Sequence, residues 1–100
     1  MTVRWSDHAA CVVREISRRR ARQGRVASEA CLAALAAAMR AIAAFPRSGR
    51  VVMGVASVEH REIRVQDFRI IYCVEDRAVH VREVIHARRD WDPNRLVLLP

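Results

Sequence analysis

Apolar residues recur at every second position in the second half of the chain, and this period of two constrains the fold more than any other feature of the sequence. Such alternation indicates strands that bury one face. It predicts strands at residues 60–65, 68–74 and 79–86, separated by short turns at residues 66–67 and 75–77. Because strands joined by such short turns pair with their neighbours, we expect an antiparallel meander.

The first half of the chain has a helical period instead. A helix should begin near Asp7 and end at Gly24, since apolar residues recur at positions 9, 12, 13 and 16. Ser28 can cap a second helix that extends to about Ala44. The apolar stripe of this second helix consists of Cys31, Leu35, Met39 and Ile42. Because only a short turn joins the two segments, we expect a helical hairpin.

Two further segments complete the expected fold. Residues 2–5 alternate and predict a short N-terminal strand, whereas residues 50–58 are apolar but irregular and indicate a connection or a weak strand. The fold class is therefore α+β, with an N-terminal strand, a helical hairpin and a three-stranded antiparallel meander. With 100 residues and 52% apolar residues the chain can bury one modest core, so we expect a single domain over residues 1–100.

Each strand of the predicted sheet has a core face and an open face. On the middle strand the core face carries Phe68, Ile70, Tyr72 and Val74. On the last strand the alternation assigns Val79, Val81 and Ile85 to the core face and Val84 to the open face. The open face would then present four basic side chains to a partner: Arg69, His80, Arg82 and His86. Glu62 and Glu83 lie among arginines and are expected to form cross-strand ion pairs.

The basic residues are distinctive in kind as well as in number. All eighteen are arginines, against eleven acidic residues, which gives a formal net charge of +7. This balance favours polyanions or acidic proteins as partners. Arginine binds phosphate and carboxylate through a planar fork of donors, but it cannot act as the general base that lysine provides in some enzymes. The run at positions 18, 19, 20 and 22 is either a solvated helix end or a patch for an acidic partner.

Cysteine usage and the apolar runs predict a soluble protein of the cytoplasm. Cys11, Cys31 and Cys73 are odd in number and have no paired spacing, which indicates buried thiols. The longest uncharged stretch, residues 30–39, is shorter than the roughly 20 residues that span a bilayer, and no secretory segment opens the chain. The histidines and Cys73 lack ligand spacing, and no glycine-rich phosphate loop is present, so neither a metal nor a cofactor is expected.

Four strings of the sequence resemble the RelE/ParE family of bacterial toxins. They are GRVV at residues 49–52, REIRV at 61–65, DFRIIYCV at 67–74 and VIHARRD at 84–90. The resemblance covers nearly the whole chain. It implies the growth-arresting toxin of a type II toxin-antitoxin system, which forms a hetero-oligomer with a cognate antitoxin that neutralises it. One branch of the family cuts mRNA on the ribosome as a metal-free endoribonuclease, and the ParE branch poisons DNA gyrase by binding it.

The ribonuclease residues of the family are only partly matched in this chain. Arg69 and Arg88 match its two arginines, and His86 could supply the proton transfer. The lysines of the preceding strand and the C-terminal tyrosine have no counterpart, since the chain has no lysine and Tyr72 is its only tyrosine. The pattern therefore favours the ParE-like branch. A ribosome-dependent mRNA interferase is the first alternative, and a non-toxic nucleic-acid-binding module is the second.

Other residues in or just after the alternating strands are expected to bind a partner. They are Arg61, Arg64, Arg82, Arg89 and Trp91. The apolar tail at residues 95–100 is expected to pack on the domain or to help form the groove for an antitoxin segment, since an apolar tail is unfavourable in water.

Overall fold

The computed structural model describes residues 1–55 and 58–98. Its elements in chain order are β1 (Thr2–Trp5), α1 (Asp7–Gln23), α2 (Arg25–Ala44), β2 (Arg50–Val51), β3 (His60–Val65), β4 (Phe68–Glu75), β5 (Ala78–His86) and a 3-10 helix, η1 (Pro93–Leu98). The strands form one sheet in the order β1-β5-β4-β3-β2. β1 is parallel to β5 and every other pair is antiparallel. The predicted α+β fold is confirmed, and the irregular segment supplies the short edge strand β2.

The helical hairpin turns at a single glycine. α1 begins after Ser6, whose Oγ accepts the backbone N–H of Ala9 at 3.0 Å, and such a cap stabilises a helix by about 1 kcal/mol. α1 ends at Gly24, whose φ of 126° a residue with a side chain rarely adopts. The predicted start of α2 at Ser28 is wrong. The Ser28 N–H already donates to the Gly24 carbonyl at 3.2 Å, so Ser28 lies inside the first turn and α2 begins at Arg25.

Both helices pack on one face of the sheet, where the main core lies. The buried residues of this core are Ala9, Ile42, Val65, Ile70, Tyr72, Val79, Val81 and Val84. Leu35 and Met39 of the predicted α2 stripe pack against them. Ala-rich α2 is long and apolar enough, by length and composition alone, to cross a membrane. Within the described structure Ile42 is the fully buried residue of this helix, and Leu35 and Met39 pack partly buried against the core.

A β-bulge in β5 changes which of its side chains face the helices. Tyr72 pairs with Val81 and Ile71 pairs with Glu83, so β5 has one more residue than β4 at this point of the register, Arg82. One extra residue shifts the alternation by one. The assignments of Val84 to the open face and of Ile85 to the core face are therefore wrong. Val84 joins Val79 and Val81 in the core under the helices, whereas Ile85 pairs with Arg69 and shares its face.

Tyr72 anchors the segment that follows α2. Its hydroxyl accepts the Gly49 N–H at 2.9 Å and donates to the Pro46 carbonyl at 2.8 Å. A Cβ at Gly49 would lie 2.5 Å from the Tyr72 oxygen, so no larger residue fits there without displacement. The only tyrosine of the chain is thus fully buried and bonded to backbone, as its predicted place in the core requires.

The C-terminal tail covers part of the open face. Leu96 is buried against Val52 and Ile71, and Val55 and Trp91 pack around them. The expectation that the tail packs on the domain is confirmed at Leu96, while residues 99–100 lie outside the described part of the chain.

Candidate functional site

Two arginines converge on one carboxylate on the open face of the sheet. Glu62 of β3 lies directly across from Arg50 of β2, and Arg69 comes from the neighbouring strand β4. Arg69 Nε donates to Glu62 Oε2 at 2.5 Å, and Arg50 donates to Oε1 through Nε at 3.1 Å and also through Nη2. These three residues are named the open-face cluster. The expected cross-strand ion pairing of Glu62 is confirmed.

The carboxylate of this cluster is buried, and its charge is maintained by its partners. The Glu62 side chain is 8% exposed. Burial by itself raises the pKa of Glu62, but the hydrogen bonds and charges of Arg50 and Arg69 outweigh it and hold the pKa below the ordinary value. Glu62 is therefore ionised at neutral pH, and its two oxygens occupy Nε–H donors of both guanidinium groups.

Arg69 is also enclosed on its other side. Its guanidinium lies over the ring of Trp91 at 5.6 Å from the ring centroid, a cation–π contact. The structure thus brings together two predicted site residues, Arg69 and Trp91. Trp91 is half-buried against the cluster around Leu96. Part of its ring surface therefore already contacts its own chain, and only the rest is accessible to a partner.

A cleft of about 580 Å³ lies beside the open-face cluster. Arg64 projects into the same region, since it is paired with Arg69 across the strands and cross-strand partners share a face. The cleft is lined by Arg50, Glu62, Ile63, Arg64, Arg69 and Ala87. Because three arginines and one carboxylate line the cleft, its net charge is positive, and it is suited to binding an anionic group.

His86 is on the opposite side of the sheet from Arg69. Its ring meets the ring of Phe68 edge-on at a centroid distance of 5.8 Å, and Phe68 packs against the core under the helices. The His86 Nδ1 accepts the backbone N–H of Arg88 at 3.2 Å, a contact within the turn after β5. The expectation that His86 shares the open face is wrong, because the bulge at Arg82 reverses the alternation before it.

The remaining predicted arginines are dispersed. Arg61 faces the helix side and donates to the carbonyls of Arg47 at 3.1 Å and Gly49 at 2.8 Å, so it supports the segment after α2. Arg82 donates through Nη2 to the Leu96 carbonyl at 3.1 Å and thereby anchors the tail. Arg88 and Arg89 lie exposed in the turn that follows β5.

The second buried glutamate has an unexpected partner. Glu83 accepts from the backbone N–H of Val84 at 3.1 Å and contacts His8 Nε2 at 2.7 Å. The arginine partner expected for Glu83 is thus replaced by a histidine of α1. No local pattern indicates this pair, because its two residues are 75 positions apart.

A row of His60, Cys73 and His80 crosses three strands on the open face. His60 is buried, and its Nδ1–H donates to the Val58 carbonyl at 2.7 Å. Burial lowers the pKa of His60 and raises the pKa of Cys73, so both favour their neutral forms. Among the described residues no group of three histidine, cysteine or acidic side chains has an arrangement that could hold a metal ion.

Comparison with known families identifies the family of this chain. A family model described as the ParE toxin of type II toxin-antitoxin system, parDE, matches residues 3–91. The matched segment includes both helices, nearly all of the sheet and Trp91. A search of curated proteins found no match.

Proposed function

The chain belongs to the ParE toxin family of type II toxin-antitoxin systems, and we propose that it arrests growth by binding DNA gyrase. It would act in the bacterial cytoplasm and be neutralised there in a hetero-oligomer with its cognate antitoxin. The family match supports the toxin class and the antitoxin partner. The choice of target is argued from the residues of the open face.

The observation that carries this choice is the separation of Arg69 from His86. Metal-free RNA cleavage needs a base, an acid and a cationic group within reach of one phosphate. Arg69 is bonded to Glu62 on the open face, whereas His86 lies against Phe68 on the helix side. Arg88, the third candidate, is in the exposed turn beyond β5. The three residues therefore do not surround a common point, and binding accounts for them better than catalysis.

One observation favours the mRNA interferase alternative. The cleft beside the open-face cluster keeps three arginines, and Arg64 is exposed within it. An RNA phosphate could be held there if it displaced Glu62 from Arg69. Cleavage would still need a proton donor and acceptor at that place, and the only tyrosine is buried and bonded to backbone.

Controlled expression of the chain distinguishes the two targets. We expect gyrase-linked DNA breaks and induction of the DNA-damage response, with messages intact. Cut messages on ribosomes, without gyrase-linked breaks, would instead establish the interferase. Harmless expression of a folded protein would favour the non-toxic nucleic-acid-binding module. The control variant is Arg77→Gln, which removes an exposed arginine from the β4–β5 turn and should behave as the parent does.

The residues proposed for partner binding can be tested in the same system. Arg64→Gln removes an exposed cation from the open face, and Arg89→Gln removes one from the turn after β5. If the open face contacts the target, Arg64→Gln should reduce toxicity while antitoxin binding persists. Equal toxicity of Arg64→Gln and Arg77→Gln would remove Arg64 from the target surface.

A further inference from the structure

Four arginines form an exposed group where the helical hairpin turns. They are Arg18, Arg19 and Arg22 in the last two turns of α1 and Arg25 at the start of α2. The side chains of Arg18, Arg19 and Arg25 are 73%, 72% and 90% exposed, and Arg22 is exposed as well. These four residues are named the hairpin-tip arginines.

The fold makes little use of these side chains. Arg18 and Arg19 share the half-exposed Glu15, at 3.7 and 3.4 Å, and Arg25 contacts the exposed Glu29 at 2.9 Å. Solvent screens ion pairs of this kind strongly, so they contribute little to stability. The neighbouring Arg20, in contrast, is packed on the domain. Its side chain is only 25% exposed and lies over the Phe68 ring at 5.6 Å.

The hairpin tip concentrates the charge of the protein. Residues 14–29 contain six arginines and two glutamates, so four of the seven net positive charges of the chain lie in these sixteen residues. Arg18, Arg19 and Arg22 lie on one stripe of α1, because residues three and four apart share a helix face. Arg18 and Arg22 are separated by about 6 Å along the helix axis, a spacing at which like charges repel each other. A bound polyanion would relieve this repulsion.

The residues around the tip indicate which polyanion fits. No Phe, Trp or Tyr occurs between residues 6 and 44, so the hairpin offers no aromatic surface on which unpaired bases could stack. Hot spots of protein interfaces combine buried Trp and Tyr with Arg, and the hairpin has the arginines without the aromatic residues. A duplex presents closely spaced phosphates with its bases stacked inside, about one phosphate per 3.4 Å of axis on each strand. Guanidinium groups bind such phosphates through two parallel hydrogen bonds.

We propose that the hairpin-tip arginines bind the phosphodiester backbone of a nucleic-acid duplex without reading its sequence. The surface belongs to the helices and does not include the open-face cluster, so the proposal does not depend on gyrase being the target. It adds a second contact surface to the toxin, one whose affinity is electrostatic and falls steeply with salt.

The test measures how duplex binding depends on salt. A labelled DNA duplex of about 20 base pairs is titrated with the purified chain by fluorescence anisotropy between about 50 and 200 mM salt. The tip variant carries Arg→Gln at positions 18, 19, 22 and 25. A matched control carries Arg→Gln at the exposed positions 4, 40, 47 and 77, and therefore loses the same net charge.

Each phosphate contact contributes about 0.9 to the slope of log affinity against log salt, so the tip variant, which removes four contacts, should lose about 3.6 units of slope. The matched control should lose less than about one, and at the lowest salt its affinity should exceed that of the tip variant by at least about tenfold. A variant with lysine at the four tip positions keeps the charge and should keep the slope. Equal losses in the tip variant and the matched control would overturn the proposal, as would a lysine variant as weak as the glutamine variant.

Three other ligands complete the experiment. A duplex RNA of the same length should lose affinity in the tip variant as the DNA duplex does, because the two share the phosphodiester backbone. The ratio of the affinities for DNA and RNA shows which of the two duplexes the surface prefers. A single strand that binds more tightly than the duplex would contradict backbone recognition. Phosphatidylglycerol vesicles that bind through the tip while neither duplex does would show that the surface is for membranes, and would also overturn the proposal. Circular dichroism of each variant confirms that it is folded.

Discussion

The open-face cluster and the hairpin-tip arginines are made of the same side chain and behave as opposites. In the cluster, Arg50 and Arg69 share the carboxylate of Glu62, which is 8% exposed. At the tip, Arg18 and Arg19 share Glu15, whose side chain is 49% exposed and screened by water. The count of arginines per carboxylate is the same. The burial of the carboxylate decides whether the arginines are held by the fold or remain available to a partner.

The difference comes from the elements that carry the two groups. Paired strands place Glu62 between two neighbours on the same face, with Ile71 directly across from it, so the carboxylate is shielded from water. A helix surface has no neighbour on its outer side, and its charged side chains reach into solvent. The sheet therefore holds Arg69 in the fold, whereas the hairpin leaves Arg18 and Arg19 in solvent.

Glu62→Ala should have the largest effect on stability. It removes the shared counter-ion and leaves the partly buried Arg69 without its partner, so we expect the free energy of unfolding to fall by about 3 kcal/mol. Urea denaturation measures it. The matched change at the hairpin tip, Glu15→Ala, should cost less than about 0.5 kcal/mol. Equal costs at the two sites would remove the distinction between the clusters.

Arg69→Gln should have the next largest effect. Glu62 keeps Arg50, but it loses the hydrogen bond from Nε, and Trp91 loses the cation above its ring. We expect a loss of about 2 kcal/mol by urea denaturation, since hydrogen bonds to charged groups are the stronger ones. Arg18→Gln is the control, with an expected change below about 0.5 kcal/mol. An Arg69→Gln protein as stable as this control would mean that Arg69 is free in solution.

Lowering the pH should distinguish the contribution of Glu62 to stability from that of the other buried titratable groups. The folded pKa of Glu62 lies below its ordinary 4.5, so its stabilisation is fully present above pH 4.5 and is lost as pH falls through the folded pKa. His60 has a folded pKa below its ordinary 6.5, so its contribution is present above pH 6.5 and declines as pH falls through its own folded pKa. Urea midpoints between about pH 8 and 3 should show both declines in the parent. Glu62→Gln should keep the His60 decline and lose part of the decline below pH 4.5. The same acid profile in parent and variant would contradict the assignment.

Neutralising the hairpin tip should have the smallest effect. Arg→Gln at positions 18, 19, 22 and 25 removes exposed ion pairs and also removes repulsion between like charges. We therefore expect the free energy of unfolding to change by less than about 1 kcal/mol in either direction. Thermal or urea unfolding at low salt measures it. A loss above about 2 kcal/mol would mean that the tip is part of the structure and is not a surface kept for a partner.

Much of the fold could be predicted because its patterns are local. The alternation from His60 to His86 gives three strands within a few residues of their ends, and Ser6 and Gly24 mark the ends of α1. The start of α2 was missed because Gly24 serves both helices and leaves no separate capping residue. The shape of β5 was missed for a different reason: a bulge can place its extra residue at Arg82 without any turn signal, and every later side chain then changes face.

The site was harder to predict than the fold. Arg69 was identified correctly as a residue of the open face, but Arg50, which shares Glu62 with it, comes from a two-residue strand that the irregular segment conceals. Trp91 reaches Arg69 only because the tail folds back over Ile71. Simple alternation assigned His86 to the open face, whereas the bulge puts it on the helix side, and this error concerned the one residue that could have supplied the proton transfer. Contacts between distant segments determined the first two outcomes and a bulge determined the third, and no spacing in the sequence encodes either.

Whether Glu62 holds Arg69 in solution is decided most directly by a double-mutant cycle. The cycle combines Glu62→Gln and Arg69→Gln and compares their coupling energy with that of Glu15→Gln and Arg18→Gln, measured by urea denaturation under the same conditions. We expect a coupling of about 2 kcal/mol on the open face and less than about 0.5 kcal/mol at the hairpin tip. A coupling near zero between Glu62 and Arg69 would show that the open-face arginine is free, and the claim that a buried carboxylate holds it in the fold would be contradicted.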